Sequence, residues 1–109
     1  MNETDLIREI SATYRKHGWI LRRVLLNQES LEKAGDSLEA GAPITISDVN
    51  ALLFSRPSGK NGEAWELRLV SQNPFAMFEI INADATDDER NRRLLGMEKR
   101  LKERAKKSG

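Results

Sequence analysis

The spacing of apolar side chains switches from a helical to a strand period at Gly18. Before it, Leu6, Ile7, Ile10 and Tyr14 recur at offsets of one, four and eight, which is the stripe of a helix whose other face meets water. The spacing predicts a helix over residues 4–17, capped by Asn2 or Thr4. Arg15, Lys16 and His17 suit the negative end of the helix dipole, and Gly18 is free to take the left-handed conformation that stops it. From Trp19 to Leu26 strict alternation puts Trp19, Leu21 and Leu25 on one face and Ile20, Val24 and Leu26 on the other, with Arg22 and Arg23 as one exception on each. A strand apolar on both faces belongs in the interior of a sheet.

Residues 27–43 predict two short turns of helix, one from Asn27 to Gly35 and one around Asp36 to Ala40 ended by Gly41, in a connecting excursion punctuated by Gly35, Gly41 and Pro43. A strand over residues 49–56, a polar turn over 57–62, and the alternation of Trp65, Leu67 and Leu69 with Glu66, Arg68 and Val70 then read as a hairpin. A second turn at Gln72-Asn73-Pro74 leads into residues 75–81, with Ala76, Phe78 and Ile80 on one face and Phe75, Met77 and Ile81, beside Glu79, on the other. The three strands form a meander. Thr86-Asp87-Asp88-Glu89 fits a capping box, in which hydroxyl and carboxylate satisfy each other's free backbone N–H groups. It opens a long helix with Leu94, Met97, Leu101 and Ala105 as a narrow stripe. The pattern as a whole predicts an α+β fold, a four-stranded antiparallel sheet flanked by an N-terminal and a long C-terminal helix. Residues 1–109 form one domain with its core over 4–101, and residues 102–109 are expected to fray as a basic tail.

Composition narrows the chemistry. The 109 residues have room for one core. Without cysteine there is no disulfide framework, thiolate metal site or cysteine nucleophile. The polar, acidic opening Met1-Asn2-Glu3-Thr4-Asp5 does not resemble an export signal, and the apolar runs are too short to span a bilayer, so a soluble, cytoplasmic chain is expected. Net charge is +1, but from Asp87 onward nine Lys/Arg face five Asp/Glu, against nine and twelve before it. The asymmetry is mild beside that of dedicated nucleic-acid-binding domains.

No side-chain constellation demands a particular reaction. His17 stands alone and reads as a dipole-compensating residue at a helix end. Asp48, Glu63, Glu66, Glu79 and Asp84 lie on or beside predicted strands. Asp48 followed by Glu66-Leu67-Arg68 is faintly similar to the Asp…Glu-x-Lys arrangement of restriction-endonuclease-like nucleases, with arginine where that family has lysine. A guanidinium does not replace an ammonium there, and a Glu66–Arg68 pair on a solvated hairpin face is the expected reading. Gly59-Lys60-Asn61-Gly62 lacks the following helix of a phosphate loop and reads as a hairpin turn. No catalytic residue, cofactor or metal site is expected.

Two basic clusters, Arg15, Lys16, Arg22 and Arg23 at the first helix–strand junction and Lys99, Arg100 and Lys102 in the last helix, are candidates for phosphate contact, with Trp19 available to stack on an unpaired base. Glu98 and Glu103 interrupt the second cluster and pair it in the manner of a solvated helix. More telling is a surplus of apolar faces over the helices available to cover them, which favours a homodimer. Trp19, Arg22, Arg23, Leu94, Met97 and Leu101 are the candidate interaction residues. The expected function is a small non-catalytic binding or assembly module acting through protein contacts, with a weak nucleic-acid binder as the alternative and no membrane partner.

The stretch Tyr14-Arg15-Lys16-His17-Gly18-Trp19, followed by Leu21-Arg22-Arg23-Val24-Leu25-Leu26, Trp65-Glu66-Leu67-Arg68 and Pro74-Phe75-Ala76-Met77-Phe78-Glu79, resembles a set of short uncharacterised bacterial proteins. That resemblance implies no activity.

Overall fold

The computed structural model describes residues 3–34, 41–71, 73 and 75–108. The expected cap Asn2, the helical turn expected at Asp36 to Ala40, and Gln72 and Pro74 of the second turn lie outside them. The elements are α1 (Glu3–Lys16), β1 (Ile20–Leu26), α2 (Gln28–Ala34), β2 (Ile44–Ile46), β3 (Ala51–Ser58), β4 (Gly62–Leu69), β5 (Ala76–Asn82) and α3 (Asp87–Ser108). They build an α+β fold around one mixed sheet in the order β2-β1-β3-β4-β5.

Among the described residues the sheet has five strands where the sequence pattern predicts four. The β1-β3-β4-β5 part is antiparallel as expected, but β2 lies parallel to β1, in register from Val24 opposite Ile44 to Leu26 opposite Ile46. The connection that runs through α2 returns the chain to the same end of the sheet, which is what a parallel neighbour requires. Hydrogen bonds continue the pairing beyond this short strand, from Val24 N–H to the Pro43 carbonyl (2.9 Å) and from Ser47 N–H to the Leu26 carbonyl (2.8 Å).

Each face of the sheet carries its own core. Ile7 and Ile10 of α1 pack with Val24, Leu26, Leu52 and Phe54 on one face, hereafter the α1 face. On the α3 face, Met97 and Leu101 pack with Leu25, Ala51, Leu53, Trp65, Leu67 and Ile81. Strict alternation along β1 fails at one point: the register with β3 slips between Leu21 and Arg23, leaving Arg22 as an extra residue. This β-bulge returns Trp19 and Leu21 to the face of Val24 and Leu26, so they pack in the α1-face core and not beside Leu25. Both arginines consequently share the α3 face, where Arg22 Nε donates to Ser55 Oγ (2.7 Å) and Arg23 stands over Leu25 and Leu53.

The helix ends follow local chemistry. Gly18 turns the chain out of α1 with φ 86°, a conformation costly for a residue with a Cβ. Asn27 caps α2, its Oδ1 accepting Ser30 N–H (2.8 Å), and Asn50 locks that cap by accepting Asn27 N–H (2.8 Å) and donating to Ser30 Oγ (2.9 Å). Thr86 Oγ1 accepts Glu89 N–H (3.1 Å) at the start of α3. The helix α3 extends to Ser108, with Lys102 reaching back to Glu98 (3.6 Å) and the Arg104 guanidinium over the Phe75 ring. The β3–β4 hairpin is tighter than expected: Pro57 and Ser58 are strand residues opposite Glu63 and Gly62, and the turn is Gly59-Lys60-Asn61. Proline is tolerated there because β1 pairs with β3 only as far as Ser55.

Candidate functional site

The helices divide the sheet unequally. On the α1 face, α1 and α2 lie over β1 and β3, and the side chains of β4 and β5 continue past them. In that uncovered half, Glu66 stands opposite Phe78 and Ala64 opposite Ile80. Phe78 and Ile80 are 56% and 44% exposed, two large apolar side chains adjacent on one face of the strand at the sheet's edge. Arg68 lies opposite Ala76 in the same strip.

An aromatic cluster borders this strip. The Tyr14 ring stacks on Phe54 at a centroid distance of 4.1 Å and meets Trp19 at 5.9 Å, while the Arg56 guanidinium covers the Trp19 ring at 4.4 Å. The Tyr14 hydroxyl donates to the Glu66 carboxylate. Burial, reinforced by that hydrogen bond and by the Glu66 charge, raises the Tyr14 phenol well above its ordinary range. The expected Glu66–Arg68 pair is absent among the described contacts: Glu66 takes the tyrosine, and Arg68 donates to the Leu69 carbonyl.

The residues singled out in the sequence are distributed as follows. Met97 and Leu101 are completely buried against their own sheet, so in the folded chain they present no surface to a partner, and Leu94 is half buried beside them. Trp19 is half buried under Arg56. Arg15 and Lys16 end α1 on one face of the sheet, whereas Lys99, Arg100 and Lys102 belong to α3 on the other. Arg100 reaches Glu79 (3.4 Å), which also accepts from Arg93 Nε (2.6 Å), and Lys102 faces Glu98.

The carboxylates do not converge. Glu66 points to the α1 face, Glu79 pairs with α3 on the opposite face, Glu63 meets Arg90 (3.5 Å), and Asp48 lies exposed after β2. Among the described residues no group of three or more potential ligands is placed to hold a metal ion. His17 Nδ1–H donates to the Thr13 carbonyl (2.9 Å), and the His17 carbonyl accepts from Arg56, so the residue closes the end of α1. Phe78 and Ile80 were legible as a strand face. What the sequence concealed was that no helix among the described residues covers that face.

Among the described residues no helix is long and apolar enough to cross a membrane. The chain matches no family model, no curated protein and no solved structure.

Proposed function

We propose that this protein is a non-catalytic assembly module that pairs with a second copy of itself through the uncovered β4–β5 half of the α1 face. The observation that carries this reading is the adjacent exposure of Phe78 and Ile80 on an edge strand. Contiguous apolar surface of this kind marks interaction sites more often than isolated exposed residues do. The strip is also self-complementary. A two-fold axis passing between Glu66 and Arg68, each already hydrogen-bonded within its own chain, brings the Phe78 and Ile80 side chains of the two copies together. An aromatic residue at the centre of such a contact is the usual energetic anchor.

Sedimentation velocity from micromolar to near-millimolar concentration tests the reading. A concentration-dependent dimer is expected, and the double variant Phe78→Glu, Ile80→Lys should be monomeric, the anchor contributing about 2 kcal/mol or more. A wild-type chain that stays monomeric throughout that range overturns it. Nucleic-acid binding has less support, because the first basic cluster is split, Arg15 and Lys16 ending α1 on one face of the sheet and Arg22 and Arg23 standing on the other, and because Arg100 and Lys102 are already paired.

A further inference from the structure

On the other side of the sheet a groove of about 240 Å³ runs between α3 and the β1 end of the strands. Its floor is apolar, formed by Leu25, Leu53 and Leu67. Leu94 and Leu95 of α3 form one wall, and Leu95 is 60% exposed although the core lies directly beneath it.

The polar groups at the rim are unevenly matched. The bulge in β1 delivers Arg22 and Arg23 together to this face. Arg22 is held through Nε by Ser55, but the Arg23 guanidinium makes no hydrogen bond or ion pair with a described residue. The rim also holds a carboxylate, Glu98, which is engaged elsewhere, accepting from Ser47 Oγ (3.1 Å) and facing Lys102 (3.6 Å). Asn91 adds an uncharged amide. A pocket with an apolar floor and an unmatched guanidinium at its mouth is complementary to a ligand that is apolar along its body and anionic at one end. Bulges recur where a strand must re-aim a side chain, and here the re-aimed side chains are cations.

We infer that this groove binds a small amphipathic organic anion, an unbranched or aryl carboxylate of medium length, with its carboxylate on Arg23 and its apolar body over Leu25, Leu53 and Leu67. The site is on the opposite face from the strip proposed for self-association and does not depend on it.

Methyl and amide NMR titration of the whole protein with sodium octanoate tests the assignment, with octanol, octylammonium and butyrate as comparison probes. The same titration on the Phe78→Glu, Ile80→Lys variant removes self-association on the other face. Saturable shifts are expected at the leucines of the floor and at Leu95, with octanoate binding about tenfold tighter than octanol, the scale of one charge-assisted hydrogen bond. Butyrate and octylammonium should bind much more weakly. Arg23→Ala should cost about tenfold in octanoate affinity and leave octanol unaffected, and Leu95→Asp should abolish both; both substitutions are at exposed positions, so the fold survives them. The inference fails if the shifts do not saturate, if octanoate and octanol bind alike, or if Arg23→Ala changes nothing. It also fails if the groove responds to protein concentration and not to octanoate, an outcome that would make a second copy the occupant.

Discussion

Tyr14 joins three kinds of interaction in one side chain: stacking on Phe54, contact with Trp19, and a hydrogen bond to Glu66. Because burial and the nearby carboxylate disfavour phenolate, the folded state holds the proton more tightly than the unfolded chain, whose phenol titrates near 10.0. Above that pH the folded state therefore binds more protons than the unfolded one, and stability falls as pH rises. The contribution is complete below pH 10.0 and is lost on the alkaline side. As the chain has a single tyrosine, tyrosinate absorbance reports this group alone. The titration midpoint should lie above that of the urea-unfolded chain, Glu66→Gln should lower it, and Tyr14→Phe should flatten the alkaline decline in stability. A midpoint matching the unfolded chain would falsify this account.

Among the elements, α3 depends on a start signal that was readable in four residues. Thr86→Ala removes the acceptor for Glu89 N–H and should cost about 1 kcal/mol in urea denaturation, with Thr86→Ser recovering most of it. The helix–strand periods, the meander and this cap were legible because each depends on residues close in sequence. β2 was not, since Ile44-Thr45-Ile46 is too short to show alternation and a parallel neighbour leaves no hairpin signal. The bulge hid behind two consecutive arginines, which strict alternation must separate. Its trace was the apolar spacing Leu21, Val24, Leu26, which fits one face only if a residue is inserted between the first two.

For the whole molecule, the surplus of apolar faces was legible but its location was not. Coverage depends on where helices from distant parts of the chain come to rest. The stripe of α3 that the sequence offered to a partner is consumed internally, and the large apolar side chains exposed among the described residues are instead Ile20, Ile46, Phe78, Ile80 and Leu95. Met97→Ala and Leu101→Ala should each cost about 2–5 kcal/mol by chemical denaturation, as truncations of fully buried side chains do. Leu95→Ala should stay within about 0.5 kcal/mol, and a comparable loss there would contradict the assignment of its side chain to the surface.

The overhanging tip of the β3–β4 hairpin has a further consequence for how copies of this chain meet in a crowded solution. Past Ser55 the flank of β3 lacks its β1 neighbour, which would ordinarily leave a template for runaway strand-by-strand stacking. Pro57 occupies that flank and has no amide proton to offer, so the ribbon is a poor seed for fibrils, and association is steered toward side-chain surfaces that close on themselves.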